Sequence, residues 1–488
     1  MMSKLPKSSS ITHNKHPYSN AFWIFGLICL ASLFGALITE FYPLALLPGV
    51  FIIGFLCVND VKVLLYLLFL SIPFSAAVDV GGGFATDFPS ELITIACMGV
   101  CIFLLAAKGK DINKSFFIHP ISLMLFLHFA WIFLMIFFSE NVLVSVKYFL
   151  AKTWYIFAFY IFSALLIRSK RVVKTLVWCF SIGLVLTVLS VLVRHAAIGF
   201  SYKEVNYVLK PFYSNHVAYA SIMTVCFPFI FYARNWYPKF SKKYNLLIGF
   251  AVLLVIGIYF SYTRAAFVSL LMLIPSYFMI KWKLTKPAFI LAFALIMLLF
   301  FNLANRNNFM HYTPDFEKTV SHKSYDNLLE ATLKGEDIST MERFYRWIAA
   351  VYMVNEKPWT GYGPGNFYNF YKSFTLESFK TYVSNNPEKS GVHNYFLMVL
   401  VEQGVFGFLI FLWLSFIIFA KGEIIYHKLK NKRDKELAMA CMMSLIVVYS
   451  LLLMNDMIET DKVGSFFFLS LALLVKLDTK QLSFHQES

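Results

Sequence analysis

Charge is scarce in this chain: only 14% of its 488 residues are Asp, Glu, Lys or Arg, where a soluble domain carries about a quarter. With 59% of residues hydrophobic, a soluble globule is excluded, because it could not bury that much apolar surface. Alternation of apolar and polar residues is also missing, which excludes a membrane β-barrel. No repeat of 20–50 residues and no low-complexity tract occurs, so solenoid architectures are excluded as well. Cysteine is sparse. All seven (Cys29, Cys57, Cys97, Cys101, Cys179, Cys226 and Cys441) fall inside apolar stretches, where a thiol behaves as a small hydrophobe. Neither a disulfide nor a zinc site is expected.

What the chain has instead is long uncharged runs, such as Leu247–Phe260 and Ala288–Leu303. A helix needs roughly 20 mostly apolar residues to cross a bilayer, and helices satisfy their own backbone groups in lipid. Fourteen spans are expected, near 21–39, 42–58, 61–78, 89–107, 120–138, 148–167, 173–193, 215–233, 245–262, 264–280, 287–304, 394–420, 437–455 and 462–476. The expected fold is therefore an all-α integral membrane bundle of about 12–14 helices. Residues 1–20 form a polar, basic cytoplasmic tail, and the first span reads as an uncleaved anchor. Transmembrane bundles follow at 21–304 and 393–476, separated by one large, partly helical outer loop at 305–392. A second cytoplasmic tail covers 477–488.

The formal charge of +16 does not call for nucleic acid. With a cytoplasmic N-terminus, the inner segments hold 26 Lys and Arg, among them Arg168, Lys170, Arg171 and Lys174, and the short outer loops only six. That asymmetry follows the positive-inside rule. It puts the 305–392 loop on the outer side of the membrane. This loop balances ten basic against ten acidic residues, and loops of such length are usually functional. A second, moderate outer segment runs from Arg194 to Ser214.

Within the large loop, Ser339-Thr-Met-Glu342 reads as a capping box. It opens an amphipathic helix near 340–356 carrying Phe344, Trp347, Ile348, Val351 and Tyr352, which Lys357-Pro358 ends. The segment Thr360-Gly361-Tyr362-Gly363-Pro364-Gly365-Asn366 is a turn-rich connector. It follows a helix instead of a strand, which argues against a nucleotide loop.

Several polar residues gather at the outer face. Arg264 sits at a membrane boundary, where an arginine avoids the cost of the bilayer centre; it suits either lipid headgroups or a diphosphate. Arg343 and Trp347 share a helix face at i, i+4, and Arg346 reads as solvated. His393 opens the twelfth span and is the side chain best suited to exchange a proton near neutral pH. Glu402 lies in an over-long apolar run that Gly404 is expected to break or bend. Lys147, Lys152, Arg194 and Lys210 add positive charge to the same side; Asp456, Glu459 and Asp461 add negative charge. The outer histidines His195, His216, His311, His322 and His393 show no ligand spacing, and no Asp-x-Asp occurs in an outer loop, so no metal and no cofactor are expected.

Three segments together resemble the O-antigen ligase and Wzy-type polymerase superfamily. They are Thr263-Arg264-Ala265; Arg343-Phe-Tyr-Arg-Trp347 with the Glu356–Phe367 stretch; and His393-Asn394-Tyr-Phe with Glu402-Gln-Gly404-Val-Phe-Gly407. The resemblance covers roughly residues 205–420. Pro211-Phe-Tyr-Ser-Asn215-His216 is similar to a further motif, although Asn215 stands where an acidic residue is common. The resemblance implies a metal-independent, inverting glycosyltransferase of the bacterial inner membrane, its site facing the periplasm, that moves a polyprenyl-diphosphate-linked glycan, for instance an undecaprenyl diphosphate one, to an acceptor hydroxyl. That acceptor is a glycan, lipid A–core or protein. It implies Arg264 and Arg343 as the diphosphate clamp and His393 as general base or leaving-group ligand. Arg346, Glu402, Asn394, His216, Lys152 and Asp456 are supporting candidates. Partners are then the donor, the acceptor and membrane lipids, with no nucleic acid. One dominant outer loop leans toward a ligase in lipopolysaccharide biosynthesis, over a repeat-unit polymerase or a protein O-oligosaccharyltransferase. A lipid-linked glycan transporter is the reading from another class; it would place charges along a path through the midplane.

Overall fold

The structure, a computed structural model, describes residues 27, 31–32, 54–81, 84–108, 113–313, 337–381, 383–386 and 390–482. The chain divides into two compact units, 1–64 and 65–488. The 1–20 tail and nearly all of the expected span at 21–39 fall outside the described residues, as do 42–53 of the second span and 483–488 of the C-terminal tail. All that follows on the bundle concerns the second unit.

Among the described residues, ten helices are long and apolar enough to cross a membrane. The chain is an all-α polytopic membrane protein. Numbered in order, α1 is Lys62–Ser71, α2 Ser90–Lys108, α3 Pro120–Met135, α4 Val142–Tyr155 with its continuation to Leu166, and α5 Lys170–Ala197. Helices α6 (His216–Ala233), α7 (Lys242–Phe260), α8 (Arg264–Lys281) and α9 (Thr285–Ala304) follow. After the long connection come α10 (Ile338–Glu356), α11 (Tyr395–Lys428), α12 (Lys432–Leu452) and α13 (Asp461–Asp478).

Two differences from expectation have plain causes. The span expected over 61–78 stops early: α1 passes into a short 3₁₀ turn, Ile72–Phe74, and Ser75 is extended. The strands β1 (Ala76–Gly81) and β2 (Phe84–Phe88) then pair antiparallel, with Ala76 opposite Phe88 and Ala77 opposite Asp87. Apolar composition there feeds a small hairpin instead of a fourth turn of membrane helix. The last expected span exists as α13, but it carries Asp461, Lys462, Lys476 and Asp478 at its ends and so is not one of the ten.

Burial ranks the helices. Every residue of α13 from Asp461 to Leu477 is buried, and α12 is nearly as enclosed. They are apolar all round because protein, not lipid, covers each face. By contrast, the apolar stretch of α9 buries nothing, which fits a helix whose faces meet acyl chains.

The expected break in α11 is present. Gly404 has φ 68° and ψ −176°, a region essentially reserved for glycine, and a Cβ there would overlap the Trp359 carbonyl. A break at membrane depth frees carbonyls that must find donors. Tyr362 N–H donates to Val401 O (3.0 Å), Gly363 N–H to Glu402 O (2.9 Å) and Trp131 Nε1–H to Gln403 O (3.1 Å). On the far side, Val405 N–H donates to Pro358 O (2.8 Å). The Glu402 carboxylate accepts from Gly365 N–H (2.8 Å) and Phe367 N–H (3.1 Å). The glycine-rich connector is thus stitched into the gap in α11. Replacing Gly404 by Ala is expected to cost roughly 1–3 kcal/mol from backbone conformation alone, with steric overlap added. A lowered Tm of the detergent-purified protein checks this.

Candidate active site

Helix α10 is the centre of the site. Its N-cap is Asp337, not the Ser339 of the expected capping box: the Asp337 carboxylate accepts from Thr340 N–H (3.2 Å) and from the Thr340 hydroxyl (2.6 Å). Ser339 lies one residue inside the helix, and its hydroxyl takes Arg343 instead. Glu342 does not reach back either. Its carboxylate accepts the hydroxyls of Thr381 and of Ser384 (2.5 Å), which ties α10 to the connection that leads on to α11. The buried face also differs from expectation. It runs through Ile338, Met341, Tyr345, Ala349 and Met353, with Ile348 beside it, while Phe344, Trp347 and Val351 are half-buried and Tyr352 is exposed.

Arg264 begins α8 and reaches Asp337, with Nη2 3.1 Å from Oδ1. Burial works to raise the Asp337 carboxyl. The Thr340 hydrogen bonds and the Arg264 charge outweigh it and hold the group below the usual carboxylate range. Arg343 bonds within its own helix, Nη1 to Ser339 Oγ at 2.8 Å. Burial pushes its guanidinium down; Asp337 opposes the shift, and the neighbouring Arg264 and Arg346 add to it. Arg346 is not solvated as expected but buried. Its Nη2 lies 3.5 Å from Glu342 Oε2, and its Nη1 donates to Gly391 O at 3.3 Å. Gly391 packs against Asp456, where a Cβ would sit 2.5 Å from Oδ2, and burial raises the Asp456 carboxyl.

His393 stands across from these arginines. Its φ of 60° puts it in the left-handed region, a strained conformation for a side-chain-bearing residue that costs of order 1–3 kcal/mol. Asn394 follows as the N-cap of α11, accepting from Leu397 N–H at 3.1 Å. The His393 Nδ1 meets Asn455 Oδ1 at 3.2 Å, so Nδ1–H donates and Nε2 keeps its lone pair. The residue is half-buried at its surface, but protein encloses the ring. Lost hydration, then the Arg346 and Arg343 charges, push the imidazole down to about 3, with Asn455 opposing.

The fold therefore brings Arg264, Arg343, Arg346, His393, Asn394 and Asp456 together at one end of the bundle. Other expected members have different employment. Lys152 is buried against Glu459 (2.6 Å), whose Oε1 also accepts from Tyr148 (2.8 Å) and Tyr395 (2.7 Å). Glu402 secures the connector. His216 neighbours the site through its carbonyl, which accepts from Thr263 Oγ1 at 3.1 Å, while its ring lies 3.1 Å from Asn206.

Asp337 and Asn455 were not singled out from the sequence. Asp337 offered a usable signal, since aspartate is among the preferred N-cap residues; Asn455 offered none. The most telling feature is a set of buried donors without partners: Arg343 Nε, Arg346 Nε and Trp347 Nε1. Unpaired buried donors are costly, and an anionic ligand with several oxygens would satisfy them.

Residues 249–412 match the family model described as O-Antigen ligase. Over this stretch the chain is similar to the O-antigen ligase family. No curated protein matches it. The matched O-antigen ligase region, about a third of the chain, holds Arg264, Arg343, Arg346, His393 and Glu402, and leaves Lys152, His216 and Asp456 outside. The superfamily is one of glycosyl transfer of the ligase and polymerase type.

The depressed His393 value has a measurable consequence. Its folded pKa lies below the ordinary histidine value, so the stability of the neutral form is fully present above about pH 6.5. It is lost as pH falls from there toward about 3, where the unfolded chain binds the proton first. Wild-type protein should lose more Tm than His393→Gln between about pH 6.5 and pH 4. Equal losses would contradict the burial of a neutral imidazole.

Proposed function

We propose that this protein transfers a glycan from a polyprenyl-diphosphate carrier to an acceptor hydroxyl, at the end of the bundle where Arg343, Arg346 and His393 meet. The observation that carries the reading is the group of buried, unpartnered N–H donors of Arg343, Arg346 and Trp347 beside a neutral histidine. The positive-inside distribution supports a cytoplasmic-membrane protein with both termini inside and this end facing the periplasm.

In the reaction, the bond between sugar C1 and the diphosphate oxygen breaks, and a bond from C1 to the acceptor oxygen forms. The acceptor proton passes to His393 Nε2, the nitrogen left free by the bond to Asn455, and polyprenyl diphosphate departs. Charge grows on the leaving phosphate as its bond to carbon stretches. Guanidinium groups fixed around it therefore stabilise the transition state more than the ground state. Arg264, held by Asp337, sets the edge of this positive site.

An imidazole titrating near 3 is a weak base in the empty site. Diphosphate brings negative charge against the same two arginines that depress it, so donor binding raises the basicity of His393. The base is strengthened only when the leaving group is in place. Inversion at C1 follows if attack and departure occur on opposite faces in one step.

Between ligation and polymerisation, the single long connection at 305–392 against the modest Arg194–Ser214 segment favours ligation to a distinct acceptor such as lipid A–core. The test is transfer in vitro with purified full-length protein, an undecaprenyl-diphosphate-linked oligosaccharide and separate acceptors. His393→Ala should lower kcat by about 100-fold or more. Arg343→Lys should restore little of the loss in Arg343→Ala, because an ammonium lacks the planar fork. Unchanged transfer in both alanine variants, with folding intact, sinks the reading. Product ladders that grow without a separate acceptor would instead indicate a polymerase.

A further inference from the structure

A second opening lies outside the arginine site. It is a cavity of about 390 Å³ bounded by the β1–β2 hairpin, the 210–214 segment before α6 and the first turn of α13. That volume is in the range of small-molecule sites, about 300–1,000 Å³. Its charged lining is mixed: Asp87, Asp461, Lys210 and Lys462, with the half-buried ring of Phe212 among them. Two of these groups are committed to the fold. Asp461 Oδ2 accepts from Ser90 Oγ at 2.6 Å, and Lys462 Nζ donates to Ser75 O at 3.0 Å. The Asp87 carboxylate and the Lys210 ammonium, by contrast, make no hydrogen bond among the described residues. Burial, and then the Asp461 charge beside it, raise the Asp87 carboxyl to about 6.

This lining discriminates. Two carboxylates repel a diphosphate, and two ammonium groups repel a cation. A neutral polyhydroxylated ligand suits both: hydroxyls donate to carboxylates, ring oxygens accept from ammonium groups, and an aromatic ring covers the C–H face of a sugar. Position matters too. Asp461 follows within six residues the Asn455 that orients His393, and the 210–214 segment runs into His216, whose carbonyl holds Thr263 beside Arg264. Two walls of the cavity thus lead along the chain to supports of the arginine site. The donor's own first sugar must stay with its diphosphate at the arginines, so a sugar in this cavity belongs to the acceptor or to the distal part of the donor, and which KM responds to Asp87→Asn separates the two.

The geometry points to this cavity as the binding subsite for the acceptor glycan, with the Asp87 carboxylate and the Lys210 ammonium hydrogen-bonding its neutral sugar. The acceptor assignment rests on the glycosyl-transfer reading; sugar binding does not. Ala77, opposite Asp87 in the hairpin, is exposed and lines the cavity, so Ala77→Cys in the full-length protein, reconstituted in lipid nanodiscs, serves as reporter. Labelling by a membrane-impermeant maleimide should slow threefold or more with at least one of a panel of neutral hexose di- and trisaccharides at millimolar concentration. Adding Asp87→Asn should abolish that protection, and adding Arg343→Ala should leave it. In the transfer assay, Asp87→Asn should raise the acceptor KM about tenfold, the loss expected for a hydrogen bond to a charged group, and leave the donor KM unchanged. No protection by any sugar, or equal protection in Asp87→Asn, overturns the site. A donor KM that shifts instead overturns its assignment to the acceptor. Protection in a wild-type protein that transfers nothing overturns the glycosyl-transfer reading and the acceptor assignment with it, while sugar binding stands.

Discussion

The break in α11 at Gly404 is the constraint on which the rest of the site depends. A continuous helix would need no partner for its carbonyls. This one leaves the carbonyls of Val401, Glu402 and Gln403 without helical partners, and among the described residues the 358–367 connector and Trp131 supply the donors. Because the connector is fixed to α11 by both its backbone and the Glu402 carboxylate, the C-terminal end of α10 is fixed as well. Further links hold that end of the bundle together. Glu140 N–H donates to Tyr362 O (3.1 Å), Lys357 pairs with Glu140, and Asn366 Nδ2 donates to Ser139 Oγ (2.8 Å) and Ser145 Oγ (3.0 Å). The arginines of α10 and the histidine that opens α11 therefore face one another across a braced frame, as a preorganised site requires.

Electrostatics within that frame are deliberately unbalanced. Asp337 and Glu342 each hold part of an arginine, but both also take hydroxyl or backbone donors, so neither is free to neutralise the cluster. Arg264, Arg343 and Arg346 repel one another, and burial, then the charges of Arg346 and Arg343, keep His393 neutral. Such an arrangement is costly when empty and is relieved by an anion. The strained φ of His393 belongs to the same pattern of energy stored at the proposed site.

Much of this was legible from the sequence. Long uncharged runs gave the membrane helices, because the length needed to cross lipid is set by geometry alone. Gly404 and the Gly361–Gly365 connector were legible because glycine and proline report backbone conformation locally. Arg264, Arg343 and His393 were picked out as candidates by motif resemblance, and the matched family region contains them. What could not be read depended on contacts distant in sequence. Glu402 read as a supporting candidate of the site, yet its carboxylate accepts from two backbone N–H groups some 35 residues away. Arg346 looked solvated because helical spacing does not reveal that Gly391 and His393 return to cover it. Lys152 looked like surface charge until Glu459, from the last helical turn region, proved to be its partner. The hairpin after α1 was hidden because short apolar strands and apolar helices share one composition.

The central claim is that a diphosphate fills the arginine site and thereby switches His393 from a poor base to an effective one. The most direct measurement is the titration of His393 by NMR on ¹⁵N-histidine-labelled protein, with His393→Gln for assignment, in the absence and presence of undecaprenyl diphosphate. The account predicts an imidazole that titrates near 3 in the free protein and moves upward when the diphosphate binds. A value that is ordinary in the free protein, or one that undecaprenyl diphosphate leaves unmoved, would contradict it.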